Sequence, residues 1–112
     1  MNQAPSLGDE HCRPLRGAAH RLDTTQALTL LDELAGWAIN GERLSREFRF
    51  TDFKDAMLFV NRVASLAERE NHHPDLDIRY NRVTVAYRTH DVGGLSRNDF
   101  ICAAKIEALI KL

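Results

Sequence analysis

The segment from Glu68 to Asp99 decides the fold, and it reads ERENHHPDLDIRYNRVTVAYRTHDVGGLSRND. It contains a proline, Pro74, then two short runs in which apolar and polar residues alternate, and a Gly-Gly pair. A proline pushes the preceding residue out of helical geometry, and alternation is typical of half-buried strands. The segment therefore predicts a helix that Pro74 stops, a pair of strands, and a turn that leads into another helix.

The two strands should flank a turn at Asn81 and Arg82, because β-branched and aromatic residues favour strands. Residues 91–94 form the next turn, and Ser96 with Asp99 three residues later has the pattern of a capping box for a last helix. The apolar residues are Ile78 and Tyr80, then Val83, Val85 and Tyr87, in the strands, and Phe100, Ile101, Ala104, Ile106, Ala108, Leu109, Ile110 and Leu112 in the helix.

Before this segment the sequence predicts a first helix and a hairpin. Asp23 can cap the helix with Gln26 as its capping-box partner, and the helix should end at Gly36. Asn40-Gly41 is a strong signal for a tight hairpin turn. The apolar residues are Leu28, Leu31, Leu34 and Ala35 in the helix, and Trp37, Ile39, Leu44, Phe48 and Phe50 in the hairpin.

A second helix should begin at a cap formed by Thr51 or Asp52 and continue to about Asn71. Its apolar stripe is Phe53, Met57, Val60, Ala64 and Ala67. The order α-β-β-α-β-β-α predicts an α+β fold, in which helices cover one face of a four-stranded antiparallel sheet. The last helix is apolar over more than one stripe. This width could fill the chain's own core, but we favour packing against a partner subunit, and therefore a homodimer or homotetramer.

The chain has the length of one small domain, with 112 residues, and we divide it at residue 22. Residues 1–21 lack sustained periodicity and should form a loose N-terminal extension, in which His11 and His20 have no role. Residues 22–112 should form the domain. Cys12 and Cys102 lie in dissimilar settings, so we expect two free thiols rather than a disulfide framework.

Charge and hydropathy exclude several classes of function. Fifteen basic and sixteen acidic residues leave a net charge of −1, with no basic block to bind nucleic acid. No apolar run approaches the roughly 20 residues that a membrane helix needs, and the N-terminus lacks the pattern of a secretion signal. We therefore expect a cytoplasmic protein that binds neither membrane nor nucleic acid.

The doublet His72-His73 is where we expect the chemistry. Histidine both gives and takes protons near neutrality, so a doublet beside a helix end suggests acid/base catalysis or ligation. His90 with Asp99 or Glu68 could complete a zinc site. Adjacent residues in extended geometry point to opposite sides, however, so the doublet would not readily chelate one ion, and we expect no metal.

At these residues the chain resembles the pterin-4a-carbinolamine dehydratase family. The signature spacing is matched at every element, and the resemblance covers about Leu22 to Leu112. One departure is Asn71, where an acidic residue is common. The matching residues are Glu68, His72-His73-Pro74, Tyr80, His90 and Asp99, supported by Trp37, residues 48–50, Asp52-Phe53, Thr89-His90 and residues 94–96.

The resemblance implies a hydro-lyase. Such an enzyme converts a 4a-hydroxytetrahydropterin into the quinonoid dihydropterin and water, and so recycles the pterin for aromatic amino acid hydroxylases. The pterin is the substrate, and no further cofactor is implied. A hydroxylase is therefore an implied functional partner.

The resemblance also implies roles for individual residues. His72 and His90 would be general acids, and His73 would position the ring and act as base. Asp99 and Glu68 would support the histidines, although Asp99 could equally be a helix cap and Glu68 a solvated carboxylate. Backbone groups of two segments would hold the pterin: His72, His73 and Pro74 in one, and Thr89, His90, Asp91 and Val92 in the other.

A different class of function stays open on the same fold. Some family members double as dimerisation cofactors of a transcription factor, so the chain could be a non-catalytic binding or assembly module. A pure binding module has no reason to keep His72, His73, His90 and Asp99 together. We therefore favour the enzyme, because clusters of titratable side chains mark functional sites.

Overall fold

The structure is a computed structural model and describes residues 6–110. Its element order, α-β-β-α-β-β-α, confirms the predicted fold class. Three short 3₁₀ helices accompany these elements, at Leu7–Asp9, Ala18–His20 and His90–Val92. The main elements are α1 (Thr24–Leu31), β1 (Ala38–Asn40), β2 (Arg43–Arg49), α2 (Phe53–Glu70), β3 (Asp75–Arg79), β4 (Arg82–Tyr87) and α3 (Arg97–Ile110).

The four strands form one antiparallel sheet in the order β1-β2-β4-β3. Leu44 lies opposite Tyr87 and Phe48 lies opposite Val83, and all four are buried. Successive side chains of a strand point to opposite faces, so these residues define the inner face. The inner face shares one hydrophobic core with buried residues of the three helices. The sheet is therefore covered on one side, as predicted.

Helix α1 has the predicted cap but ends earlier than predicted. The Asp23 carboxylate accepts from the Gln26 amide at 2.8 Å, and the Gln26 side chain accepts from the Asp23 amide at 2.9 Å. The helix ends at Leu31, not at Gly36, because tight turns with i to i−3 hydrogen bonds follow. These turns carry Leu34 into the core, whereas Leu28 of the predicted stripe is 52% exposed.

Helix α2 is capped by Asp52, whose carboxylate accepts from the Asp55 amide at 2.9 Å. It ends because Asn71 adopts a left-handed conformation with φ 50°, so the prediction that Pro74 stops it was wrong. Asparagine tolerates this conformation better than most residues with a side chain. The predicted stripe is also partly wrong, since Phe53 and Ala64 are exposed. The buried residues are Ala56, Phe59, Val60, Val63, Leu66 and Ala67.

Both hairpins form, but their turns differ from the predicted positions. The first turn is Gly41-Glu42, one residue later than predicted, with Gly41 at φ 61°. In the second, Tyr80 belongs to the turn rather than to a strand, because it is left-handed with φ 51°. Its side chain is 65% exposed and stacks on Phe53 with ring centroids 6.3 Å apart.

Helix α3 lies within the chain's own core. Phe100, Ile101, Cys102, Ala103 and Ile106 are buried against the sheet, α2 and the 3₁₀ helix at Leu7–Asp9. This part of its apolar surface fills the chain's own core, whereas Ala108 and Ile110 at its C-terminal end are exposed and are not covered by this chain. Oligomerisation itself stays a prediction, and Leu112 lies outside the described residues.

An ion pair fixes the end of α3 to the sheet. The Arg46 guanidinium lies 2.6 Å from both oxygens of the Glu107 carboxylate, and the Trp37 indole donates to the same carboxylate at 3.0 Å. Arg46 also lies 4.7 Å from the centre of the Phe48 ring. Because both charged side chains are mostly buried, this contact is screened less by water than a surface pair.

Residues 6–21, here called the N-terminal strap, pack onto the domain rather than forming a loose extension. Leu7 is 3% exposed, and the Cys12 amide donates to the Glu70 carboxylate at 2.8 Å. The Gly17 amide donates to the Asp91 carbonyl at 2.9 Å. No local sequence pattern reveals these contacts, because their partners lie 58 or more residues away. Residues 1–5 of the predicted extension lie outside the described part of the chain.

Among the described helices, none combines the length and the apolar character that crossing a bilayer requires.

The strap contact at Glu70 predicts a pH-dependent contribution to stability. Burial alone would raise the pKa of Glu70, but hydrogen bonds from the Cys12 amide and the His11 imidazole outweigh it, so the pKa lies below its usual 4.5. A carboxyl group with a lowered pKa stabilises the fold above its unfolded pKa, and this is lost as pH falls through the folded value. Glu70→Gln should therefore lower the free energy of unfolding by about 1 kcal/mol at pH 7.

Urea unfolding of both proteins at pH 7 and near pH 3 tests this expectation. The difference between them should shrink at the lower pH, because protonation of Glu70 removes the charge on which its stabilising hydrogen bonds depend. Glu47→Gln is the matched control, because Glu47 lies on the outer strand surface beside Arg49. A Glu70→Gln difference that is equal at both pH values would contradict the assignment.

Candidate active site

The end of α2 directs His72 into the protein. The left-handed Asn71 reverses the chain, and the His72 amide donates back to the Ala67 carbonyl at 3.1 Å. The His72 ring then lies parallel to the Tyr87 ring, with centroids 5.5 Å apart and planes at 8°. Its Nε2 is 2.6 Å from Oδ1 of Asp99, and the side chain is only 12% exposed. His72 is therefore held on two sides.

Asp99 is a completely buried carboxylate, and three groups donate to it. Thr89 Oγ1 donates to Oδ2 at 2.8 Å, and the Ser96 amide donates to the same oxygen at 2.9 Å. His72 approaches the other oxygen. A buried carboxylate needs such donors, because it cannot recover its hydration otherwise. With the carboxylate oxygen as acceptor, the hydrogen of His72 is assigned to the facing Nε2, because the other tautomer would place two acceptors against each other.

A second hydrogen bond orients the Thr89 hydroxyl. Thr89 Oγ1 and Ser96 Oγ are 2.7 Å apart. Because the Thr89 hydrogen points to Asp99, the Ser96 hydroxyl must be the donor between the two. The Ser96 oxygen in turn accepts from the Asn98 amide at 3.2 Å. Hydrogen bonds among Thr89, Ser96 and Asp99 thus connect the end of β4 to the start of α3.

His73 points to a different carboxylate from its neighbour. Its Nε2 lies 2.5 Å from Oε2 of Glu68, and the two side chains are 55% and 78% exposed. The doublet therefore presents one ring in the protein and one at its surface. An exposed ion pair of this kind contributes little to stability.

His90 lies at the protein surface, next to the buried Thr89. It opens the 3₁₀ helix His90–Val92, and this helix is closed by an isolated bridge between Thr89 and Gly94. The Thr89 amide donates to the Gly94 carbonyl at 2.9 Å. Through Thr89, the backbone that carries His90 is attached to the same carboxylate that holds His72.

Backbone carbonyls of the predicted pterin-binding segment already have partners within the chain. The Thr89 carbonyl accepts from the Val92 amide, the His90 carbonyl from Gly93, and the Asp91 carbonyl from the Gly17 amide of the strap. The Thr89 carbonyl also accepts from the Gly94 amide at 3.4 Å, so a ligand at this segment would have to use the second lone pairs of the His90 and Asp91 carbonyls. Of the remaining predicted residues, Val92 is buried and Pro74 is half-buried.

The structure links His72 and Thr89 of the predicted residues directly to Asp99 by hydrogen bonds. Asp99 connects the end of α2, the end of β4 and the start of α3, whereas His73 and His90 are exposed. Five surface cavities among the described residues are lined by other residues. A ligand at the histidines would therefore lie on an open surface of this chain.

The two histidines of the doublet do not converge on one point, because they face Asp99 and Glu68 respectively. Within residues 6–110, no three side chains of His, Cys, Asp or Glu are grouped so that they could hold a metal ion. The metal-free chemistry stays a prediction.

Sequence reasoning missed the hydroxyl of Thr89, the hydroxyl of Ser96 and the ring of Tyr87 as parts of this site. The signal that could have found them is the alternation of β4. Val83, Val85 and Tyr87 point inward, and continuing the period of two places Thr89 on the same side.

Comparisons with known proteins identify the family of the chain. Residues 20–109 match the family model described as Pterin 4 alpha carbinolamine dehydratase. A protein of Dechloromonas aromatica, provisionally named a pterin-4-alpha-carbinolamine dehydratase, is 46% identical over 112 residues and spans all of both chains. A protein of Stenotrophomonas maltophilia with the same provisional name is 50% identical over 105 residues, which are 92% of this chain and 90% of that protein.

A solved structure is also similar, a transcriptional coactivator/pterin dehydratase from Brucella melitensis. It superimposes with a TM-score of 0.75 at 35% sequence identity, over 80% of this chain and 97% of that chain. The family model covers most of the chain, and the relatives match it along nearly their whole length. The chain therefore belongs to the pterin 4 alpha carbinolamine dehydratase family, a family of hydro-lyase enzymes.

Proposed function

We propose that this protein removes water from a 4a-hydroxytetrahydropterin to give the quinonoid dihydropterin, with histidines as acid and base. The observation that carries the proposal is the buried Asp99, which holds His72 on one side and the strand that leads to His90 on the other. A carboxylate that orients an imidazole is a common element of acid/base sites. Membership of the family supplies the substrate class.

The reaction breaks the bond between carbon 4a and its hydroxyl oxygen and forms a carbon–nitrogen double bond. An acid must deliver a proton to the departing oxygen, and a base must accept the proton of the ring N–H. The enzyme therefore gives one proton and takes one back in each turnover, and one water molecule is released. In our assignment His72 and His90 are the acids, and His73 positions the pterin and acts as the base.

The hydrogen bonds of the site support this assignment for His72. Its Nε2 hydrogen is directed to Asp99, so Nδ1 is the ring nitrogen available to exchange a proton with a substrate. Stacking on Tyr87 keeps the ring plane in place during the reaction. Asp99 is a positioning residue in this proposal, because it acts on the substrate only through His72.

The exposed pair of His73 and Glu68 supports a role at the open side of the substrate. Glu68 holds one ring nitrogen of His73, which leaves the other for the pterin. A flat heterocycle lying on this surface would be reached by His73 from the end of α2 and by His90 from the end of β4. The open site also gives the released water a direct path to solvent.

A second function is supported by one comparison. The similar structure from Brucella melitensis is described as a transcriptional coactivator as well as a pterin dehydratase. A binding role for this chain would use surfaces away from the histidines, so it is compatible with the dehydratase. Cytoplasmic location, assembly into a homodimer or homotetramer, and supply of pterin to an aromatic amino acid hydroxylase complete the proposal.

Asp99→Asn tests the positioning role. The single amide oxygen would be retained by Thr89 and Ser96, so the amide nitrogen would face His72 and require the tautomer with hydrogen on Nδ1. We expect kcat for carbinolamine dehydration to fall by about 100-fold or more, with KM changing much less.

Asp77→Asn is the matched control, because Asp77 is an exposed aspartate of β3 paired with Arg79. Its kinetic constants should stay at the level of the unmodified protein. Circular dichroism establishes that both variants are folded. An Asp99→Asn variant that changes KM alone, or keeps the native kcat, would remove Asp99 from the mechanism.

His73→Ala tests the exposed histidine of the doublet. The variant should fold normally, because the side chain is 55% exposed, and kcat should fall by roughly 10²-fold or more through loss of the base. His11→Ala is the control, since that imidazole is 79% exposed and belongs to the strap. Near-native turnover by His73→Ala in a dehydration assay would refute its assignment as base.

A further inference from the structure

The two cysteines of the chain are in contact. Cys12 of the strap and Cys102 of α3 are free thiols, and their Sγ atoms lie 3.3 Å apart although 90 positions separate them in sequence. The sequence suggested dissimilar settings for the two cysteines, but in the fold they share one. The family match begins at residue 20, so Cys12 lies outside the part of the chain that the family model describes.

We propose that Cys12 and Cys102 are a disulfide-forming pair, which oxidation by a peroxide closes and a dithiol reopens. The bond would fasten the N-terminal strap covalently to α3. In cytosolic proteins, disulfides are mostly transient and regulatory rather than structural, and this pair has the features of such a site.

The backbone on both sides of Cys12 is already anchored. The Cys12 amide donates to the Glu70 carboxylate at 2.8 Å. The Arg13 amide donates to the Asn98 side chain at 3.1 Å, and the Asn98 side-chain amide donates back to the Arg13 carbonyl at 2.6 Å. Cys12 is thus held against the helix that carries Cys102, so the two sulfurs are already in contact in the folded protein.

The two thiols differ in access. Cys102 is fully buried, whereas Cys12 is half-buried. The hydrogen bond with the Cys12 sulfur, together with burial, raises the pKa of Cys102. Oxidants reach accessible thiols first, so the oxidant should attack the half-buried Cys12 before the buried Cys102. Cys102 then acts as the resolving thiol.

The chemistry balances with hydrogen peroxide as oxidant. The Cys12 sulfur attacks one peroxide oxygen, the O–O bond breaks, and sulfenic acid and one water form. The Cys102 sulfur then attacks the Cys12 sulfur, the S–O bond breaks, and the departing hydroxide takes the Cys102 proton as a second water. Two thiols lose two electrons and two protons, and one peroxide becomes two molecules of water.

The Cys12–Cys102 pair is connected to the candidate site on two sides. Cys102 is next to the Tyr87 hydroxyl, and the Tyr87 ring stacks on His72. The strap that Cys12 belongs to continues to Gly17, whose amide holds the Asp91 carbonyl beside His90. Forming the disulfide would therefore restrict the motion of residues that contact His72 and the segment of His90.

Intact-mass spectrometry of the full chain before and after treatment with hydrogen peroxide tests the proposal. We expect a loss of two hydrogen masses in the monomer, a Cys12–Cys102 cross-linked peptide after digestion, and full reversal by dithiothreitol. The oxidised protein should unfold at a Tm higher by about 5 °C or more, because the bond closes a long loop in the unfolded chain. Hydrogen exchange in residues 10–17 should slow.

Cys12→Ser is the matched control, because this half-buried position accepts a hydroxyl without a cavity. It should keep its Tm under the same oxidant and form no cross-linked peptide. Cys102→Ala gives a second control, in which Cys12 should stop at sulfenic or higher oxidised forms. Addition of oxygen to Cys12 in the unmodified chain without cross-linking, or cross-linking only between molecules, would overturn the proposal.

Discussion

A completely buried carboxylate, that of Asp99, is the constraint on which the rest of the site depends. Such a charge is stable only where donors replace its water, and here the donors come from α2's end through His72, from β4's end through Thr89, and from α3's start through Ser96. Leaving one of its hydrogen bonds unmade in the interior is costly, on the order of 1–3 kcal/mol. Each of the three elements therefore needs the other two in place.

The same carboxylate serves the fold and the proposed chemistry. As a residue in the first turn of α3, it accepts the Ser96 amide and complements the positive end of the helix dipole. As the partner of His72, it selects which ring nitrogen carries hydrogen and which one faces outward. The capping interpretation and the site interpretation of Asp99 are thus both satisfied by one side chain, with a different oxygen used for each.

Much of the fold could be predicted because its signals are local. The caps at Asp23 and Asp52 each act three residues away, and the alternation in β4 states directly which side chains face the core. The ends of the helices were harder. Asn71 ends α2 through a left-handed conformation, which many asparagines do not adopt, and α1 ends where tight turns bring Leu34 to the core. Both helix ends depend on where the residues that follow the helix pack in the fold.

By itself, the sequence determined the element order, the face of the sheet that is buried, and the family, because periodicity and motif spacing are written along the chain. Only the tertiary structure decided that residues 6–21 are a packed strap, that Cys12 meets Cys102, and that His72 and His73 face different carboxylates. These contacts join residues up to 90 positions apart or depend on one backbone angle at Asn71. Sequence patterns act over a few residues, so they do not indicate which distant residues come into contact when the chain packs.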